Sequence, residues 1–468
     1  MKLYKDTALK FDSFMPIYNW FYPLSNAPLS HIDCSQPLAV FDQLSTSQVR
    51  KRAVYLHIPF CDTICSFCPF VRGKFTNYDT VKRYTKALIK EIQIKSKYKS
   101  ISSVPIGSIF IGGGTPSILD PEDIRDIGHT LKECFDLSGM EEFSCEMEVK
   151  SVTEEKNEAF KSIGVTHARF GLQTFNSKYR DLFTLTATLE QTYSAIDSLK
   201  KTFPFVSFDM LYGMHGQTEE EFVQDIHHAV ETGANNIDFY PINNLMTQVS
   251  LHSSFNKKGL QPTSGLTKYY MNMLLREYMR SNQYLPHNGH GYVRVTRAQA
   301  SENPVLTDTY SFKYHDYVYG YSDHELIGFG ANAISSLNNF SFFNTASREG
   351  YIKSLLADNV WDFSIGMHSS ITDASKPVIL RLPYHGRIER SKVDWQHVHP
   401  ATLQALSDLI DCGLVVESAD SYQISRDGWY WYVNMMYFLS PPDEKREIEK
   451  FINKKKHDRR RSLEEIGI

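Results

Sequence analysis

Cysteine is scarce in this 468-residue chain, and it shows neither a long apolar run nor a dominant charge. The seven cysteines (Cys34, Cys61, Cys65, Cys68, Cys134, Cys145 and Cys412) are too few and too unevenly placed for a disulfide scaffold, which is short, secreted and cysteine-dense. No stretch reaches the roughly 20 apolar residues of a membrane span. The N-terminus, MKLYKDTALKFDSFMP, is charged within its first ten residues and lacks the apolar centre of a secretory signal. A formal net charge of −4 excludes the polyelectrolyte signature of a nucleic-acid binder. These absences predict a cytoplasmic protein that acts on a small molecule, without membrane or nucleic acid as partner. What is present is ordinary for a globular chain: 42% hydrophobic and 22% charged residues, enough apolar surface for a large core.

Residues 1–50 are aromatic-rich and aperiodic, and read as an arm packed on the main domain. An alternation then begins. Apolar or β-branched runs at Val54–Pro59, Ser108–Gly112, Phe143–Val149, Ala168–Gln173, Val206–Tyr212 and Ile237–Ile242 are separated by helical patterns at Tyr78–Lys95, Pro121–Cys134, Glu154–Ser162, Leu189–Lys201, Glu219–Thr232 and Leu266–Arg280. Asp120 stands at an N-cap position before Pro121, the first helical residue. Strands alternating with helices indicate parallel βα units. Six of them predict an α/β fold, a partial (β/α)6 TIM-like barrel over 51–340, with chemistry at the C-terminal strand ends. Beyond about Ile334 the alternation stops. A helix at Pro400–Gly413, a hairpin from Leu414–Glu417 and Tyr422–Ile424, and a helical stretch Trp429–Leu439 predict a small winged-helix-like α+β module within 341–445. The charged tail, 446–468, reads as a solvated terminal helix.

Three of the seven cysteines fall within eight residues, in Tyr55-Leu-His-Ile-Pro-Phe-Cys61-Asp-Thr-Ile-Cys65-Ser-Phe-Cys68. A CxxxCxxC loop after a strand lets three thiolates wrap one iron–sulfur cluster and leaves a fourth iron for a small chelating molecule. The competing reading is a zinc site short of a ligand. Zinc sites close with a second Cys or His pair, and nothing but His57 lies near.

The string YLHIPFCxxxCxFC followed by Gly112-Gly113-Gly114-Thr115-Pro116 resembles the radical S-adenosylmethionine superfamily, in its oxygen-independent coproporphyrinogen III oxidase-like branch. The likeness runs from about Tyr55 to Leu439. It implies a [4Fe–4S] cluster on Cys61, Cys65 and Cys68, and one or two molecules of S-adenosylmethionine cleaved to a 5′-deoxyadenosyl radical. It also implies an electron donor such as flavodoxin or ferredoxin. Carried over residue by residue, Gly113, Gly114 and Thr115 form the turn that meets the methionyl amino group, with glycine letting backbone approach the ligand. Glu146 in FSCEMEV, Gln173 in GLQTFN and Asp209 in FDMLYG fall at the ends of the third, fourth and fifth strands, as cofactor contacts. Tyr55, Phe67, Leu211, Asn243 and Ile334 match the wall of a second-cofactor slot. The string Leu326-Ile-Gly-Phe-Gly-Ala-Asn-Ala-Ile-Ser335 matches the branch's GxGxxAIS segment; no βαβ unit with an acidic partner follows it, so it is not a dinucleotide site.

Two departures narrow the function. Pro69-Phe70 replaces the Gly-Cys that follows the last cluster cysteine in the oxidases, and Leu185 stands where the branch has an arginine for the cofactor carboxylate. Arg169 or Arg180 is left to serve there. The resemblance then implies methyl or methylene transfer, as in the methyltransferase, cyclopropanase and heme-degrading relatives, to a flat unsaturated substrate that the tyrosines between Tyr310 and Tyr321 would suit. The alternatives are oxidative decarboxylation of coproporphyrinogen III, or a non-catalytic heme chaperone in which His287, His290, His315 or His324 holds heme iron.

Overall fold

The computed structural model describes residues 1–24, 27–28, 40–44, 50–68, 73–301, 305, 312–357 and 362–465. Pro69, Phe70, Cys34 and Tyr310 lie outside them. Six strands, β1 (Lys51–Ile58), β2 (Ile106–Gly113), β3 (Glu142–Met147), β4 (His167–Gln173), β5 (Phe205–Tyr212) and β6 (Asn236–Pro241), pair in parallel in chain order. Their connections carry helices α1 (Tyr78–Lys95), α2 (Pro121–Cys134), α3 (Glu154–Ile163), α4 (Ser177–Phe183), α5 (Leu189–Thr202) and α6 (Glu219–Glu231).

Local chemistry explains where the helices start. Asn77 caps α1 by accepting from the Thr80 N–H at 3.0 Å. Thr188 with Gln191, and Thr218 with Glu221, form reciprocal capping boxes on α5 and α6. Gly164 ends α3 in the left-handed region at φ 106°. The strands are buried on both faces. In β1, Val54, Leu56 and Ile58 are fully buried in the sheet–helix core, whereas Tyr55 and His57 alternate to the other face.

The parallel sheet has a seventh member that the six-unit expectation lacked. His324–Phe329, the strand leading into the GxGxxAIS segment, pairs in parallel with β1 on the side away from β2. Antiparallel strands Ile334–Leu337, Phe340–Asn344 and Phe363–Met367 continue from there, so the sheet runs past residue 340. At the opposite edge β6 pairs with Gly291–Arg294 and then Tyr284–Pro286. The result is a thirteen-stranded mixed sheet around a parallel centre. The short helix Lys313–Val318 packs against its inner face. There the Phe110 ring lies 5.0 Å from Phe312 and 4.9 Å from Tyr314.

The C-terminal module follows the sequence pattern, with helix Pro400–Asp411, strands Val415–Glu417 and Ser421–Ile424, and helix Tyr432–Leu439. A third strand, Arg387–Glu389, joins it. The arm meets the sheet at Phe21, 5.2 Å from Phe343, and reaches beyond it. Phe11, Met15, Ile17 and Tyr22 enter the apolar cluster of this module, not the core of the sheet. The reason is aromatic: Phe11 and Phe14 both lie 5.4 Å from Trp431. The charged tail continues as helix Pro442–Glu465. No helix among the described residues is long and apolar enough to cross a membrane.

Candidate functional site

A cavity of about 210 Å³ opens at the C-terminal ends of the parallel strands. Its lining brings together Cys61, Cys65, Phe67, Cys68, Gly113, Gly114, Thr115, Glu146, Gln173 and Asp209, residues spread over about 150 positions of sequence. The cysteine loop is held from both flanks. Ser66 donates from its backbone to the Phe183 carbonyl at 3.3 Å and from its hydroxyl to the Leu182 carbonyl at 2.9 Å. Gln248 donates its amide to the Cys65 carbonyl at 3.0 Å, and the Phe67 ring lies 4.9 Å from Phe183. Among the described residues, no three His, Cys, Asp or Glu side chains are drawn together into a set that could already hold a metal ion. The chemistry of the donors nonetheless fits an iron–sulfur cluster: three thiols, soft ligands, face one cavity from one short loop.

The glycine turn has a tighter reason than ligand approach alone. A Cβ on Gly114 would stand 2.5 Å from the Phe60 carbonyl oxygen, and one on Gly113 would meet the His57 ring at 2.6 Å. Gly113 also adopts φ 114°, a conformation side chains disfavour. The β2 turn is thus packed directly on the strand that leads into the cysteines. Glu146 Oε2 accepts from the Gly113 N–H at 3.0 Å, and burial pushes this carboxyl up to about 7 against the opposing pull of that N–H and Arg169. Gln173 holds φ 72° at an irregularity in the β4–β5 pairing, where Gly171 leaves room for its amide. A non-glycine residue in this region is uncommon and marks a site the surroundings over-determine.

Asp209 lies 3.4 Å from the Arg169 guanidinium, which is also paired with Asp238 and lies 4.1 Å from the Phe312 ring. Desolvation drives Asp209 upward despite Arg169, whereas Asp238, the more buried of the two, is held below the usual range by Arg169. Of the two arginines left to hold a cofactor carboxylate, Arg169 is bound to these acids. Arg180 donates to the carbonyls of Thr174 at 2.9 Å and Ala187 at 2.6 Å. Both line the cavity, as does Leu185. Sequence reasoning missed Lys150, a further cation in the lining, paired with Asp62 at 3.1 Å. Its signal was its place just past the end of β3, four residues after Glu146.

The five residues assigned to a second-cofactor slot do not all line one of the two cavities. Phe67 lines the first cavity. Tyr55 and Ile334 line a second cavity, and neither cavity is lined by Leu211 or Asn243. Leu211 packs with Phe67 against the apolar cluster around Phe183, and Asn243 accepts from the Leu245 N–H at 3.2 Å in its own turn. The candidate heme ligands are engaged inside the protein. His287 bonds with Asn236 and Asn288, His290 with Tyr432, His315 with Tyr384, and His324 with the Asp316 carbonyl.

Comparison with known proteins places the chain among similar sequences and one similar fold. The radical SAM superfamily model matches residues 55–229. Anaerobilin synthase of Escherichia coli O157:H7 is 25% identical over 84% of this chain and 85% of its own length. The heme chaperone HemW of Lactococcus lactis is 26% identical over 65% of this chain and 74% of its own. The oxygen-independent coproporphyrinogen III oxidase of Cereibacter sphaeroides is 23% identical over 65% of this chain and 66% of its own. In fold, the solved coproporphyrinogen III oxidase HemN of Escherichia coli superposes with a TM-score of 0.71 at 18% identity, covering 86% of this chain and 92% of that one. Members of this superfamily bind a [4Fe–4S] cluster and S-adenosylmethionine. Residues 55–229 thus form a radical SAM domain, and the chain as a whole is similar to the HemN-like branch that includes anaerobilin synthase, the heme chaperones and the oxygen-independent coproporphyrinogen oxidases.

Proposed function

We propose that this protein is a radical S-adenosylmethionine enzyme that transfers a methyl or methylene group to a flat unsaturated substrate. The observation that supports it best is the shared cavity of Cys61, Cys65 and Cys68 with the glycine turn, Glu146, Gln173 and Asp209 at the strand ends. The three thiolates would hold the cluster. Bound cluster and S-adenosylmethionine together supply one-electron cleavage of a sulfonium bond. The residues of the chain do the rest. Gly113 and Gly114 bring backbone close to a ligand, Glu146 and Asp209 accept hydrogen bonds from its ammonium and hydroxyl groups, and Lys150, Arg169 and Arg180 set a positive rim for its carboxylate. The reaction runs in the cytoplasm with a flavodoxin- or ferredoxin-like electron donor.

Group transfer is favoured over decarboxylation because Phe70 takes the place of the oxidase cysteine. In sequence, the likeness to anaerobilin synthase spans 84% of the chain, against 65% for the Cereibacter sphaeroides oxidase. The test is anaerobic turnover of heme and of coproporphyrinogen III with methyl-deuterated S-adenosylmethionine, read by mass spectrometry. Group transfer gives S-adenosylhomocysteine, deuterium in 5′-deoxyadenosine and a product heavier by one labelled carbon. Unlabelled 5′-deoxyadenosine with loss of carbon dioxide would put the decarboxylase in its place. Stoichiometric heme binding with no consumption of S-adenosylmethionine would put the chaperone there.

A further inference from the structure

Charge is unevenly spread in this chain. Its formal net charge is −4, yet residues 453–461 carry six cations (Lys454, Lys455, Lys456, Arg459, Arg460 and Arg461) against one acid, Asp458. They lie toward the end of helix Pro442–Glu465, which buries Ile448 and Ile452 in the core of the C-terminal module and leaves Lys454, Lys456, Arg460 and Arg461 exposed. This helix packs on helix Val249–Lys257. Arg459 marks the contact: burial holds His252 of that helix down to about 3, with the Arg459 guanidinium acting in the same sense. Helix Val249–Lys257 in turn starts beside the cysteine loop. Gln248 donates its backbone N–H to the Ser66 carbonyl at 3.2 Å and its amide to the Cys65 carbonyl at 3.0 Å. Phe67 packs on the apolar cluster that contains Leu251 and Phe255. No acid stands between Asp238 and Glu277, so this helix and its flanks offset none of the positive charge. A basic surface therefore lies one helix away from the three cysteines.

Reductive cleavage of a sulfonium bond consumes one electron and leaves the sulfur as a neutral thioether; no side chain supplies that electron. It has to arrive from outside and enter at the cysteine loop. Opposite charge on a carrier and on the surface beside that loop speeds their encounter and rejects wrong partners. We propose that the exposed basic side of helix Pro442–Glu465, next to helix Val249–Lys257, is the docking surface for an acidic one-electron carrier protein, a reduced flavodoxin. The carrier is oxidised by one electron as the sulfonium bond breaks. A nucleic acid or an anionic lipid could also meet these cations, but neither would gain from their place beside the cysteine loop. The need for an electron rests on the function proposed above; the docking itself does not.

The test uses the full-length protein, reconstituted anaerobically, and a flavodoxin of strongly negative net charge. Binding of oxidised flavodoxin is followed by isothermal titration. Formation of 5′-deoxyadenosine is measured with reduced flavodoxin and, separately, with dithionite. Lys454→Glu/Lys456→Glu should weaken flavodoxin binding and raise its KM by about tenfold at low salt, with the dithionite rate unchanged. Affinity of the unaltered protein should fall at least about fivefold between low salt and ~0.3 M salt, as screening shortens the reach of the charges. Lys86→Glu/Lys97→Glu changes the net charge equally, at exposed lysines on α1 and just after it, and should leave flavodoxin binding as it was. Circular dichroism melting and iron assay establish that each variant is folded and loaded. Undiminished flavodoxin affinity in folded Lys454→Glu/Lys456→Glu overturns the inference, as does an equal loss in Lys86→Glu/Lys97→Glu. Binding of single-stranded RNA or anionic vesicles through Lys454 and Lys456, with no binding of flavodoxin, overturns it too. Lysine-dependent flavodoxin binding in a protein that cleaves no S-adenosylmethionine with either reductant keeps the docking surface and removes the proposed function. Cleavage with dithionite, and flavodoxin affinity indifferent to the lysines, removes the docking surface.

Discussion

Burial at Glu146 sets a protonation equilibrium near neutral pH, with the Gly113 N–H and Arg169 pulling the other way. The sign of the consequence follows. A ligand that offers an ammonium group binds the carboxylate form, so below about 7 binding must first release a proton from Glu146. Affinity for S-adenosylmethionine is therefore expected to fall by up to about tenfold per pH unit below 7 and to level off above it. Glu146→Gln should bind more weakly at pH 8 and lose most of the pH dependence. Titration at several pH values reads both, and an unchanged slope in the variant would detach Glu146 from the ligand. The cysteines make a simpler prediction. Anaerobically reconstituted protein should carry about four irons, and replacing Cys61, Cys65 and Cys68 together by Ala should remove them along with the broad visible absorption. Iron assay decides it.

Among the elements, the seam between β1 and His324–Phe329 closes the parallel sheet, and a buried ion pair fastens it. Arg52, fully buried, donates to Glu325 Oε2 at 2.6 Å and to the Ile101 and Ser100 carbonyls at 2.5 and 3.0 Å. Removing Arg52 leaves the buried Glu325 with only the partly exposed Arg50 at 2.9 Å, so Arg52→Ala should cost about 3 kcal/mol, the low end for breaking a buried pair, by chemical denaturation. Loss below about 1 kcal/mol would mean the seam rests on backbone pairing alone. This pair was invisible in sequence, since 273 residues separate its partners. The six parallel strands were legible because burial on both faces makes them nearly continuous apolar runs, and helical spacing marked the helices to within a residue or so, whereas Asp120, the one cap read from the sequence, starts its helix without a side-chain capping bond. The seventh parallel strand was legible only as a motif. His324-Glu-Leu-Ile-Gly-Phe329 is short and carries a buried acid, so it reads as a loop until Arg52 explains the acid. Helix Lys313–Val318 was missed because it is six residues long and buries only Tyr317 fully, too little to show an amphipathic period. At the site, the residues with strand-end positions were readable. Arg169 and Asp209 were each noticed, but not as a pair, and the buried Asp238 was not, because a mid-strand charge has no sequence signature of its own.

At the scale of the whole molecule, the arm and the C-terminal module form one apolar unit, while the cysteine loop belongs to the other. Trp431 is 1% exposed because Phe11 and Phe14 cover it, the latter stacked within 12° of parallel. Polar bonds fix the register: the Asn434 amide donates to the Ser13 carbonyl at 2.7 Å, and the Leu24 N–H donates to Glu444 at 2.7 Å. Deleting residues 1–24 exposes this aromatic face, and three or so large side chains lost from burial amount to on the order of 5 kcal/mol. The loss should fall on one part of the molecule. Tryptophan emission should shift to the red, and limited trypsin digestion should cut the chain first between residues 380 and 465. The cysteine loop is tied to β1, α4 and Gln248, none of which touches the arm in these bonds. Iron content after anaerobic reconstitution should therefore stay near that of the full chain. Loss of the cluster in the truncated protein would show that the arm supports the sheet as a whole. An unaltered digestion pattern would show that the C-terminal module holds its core without the arm.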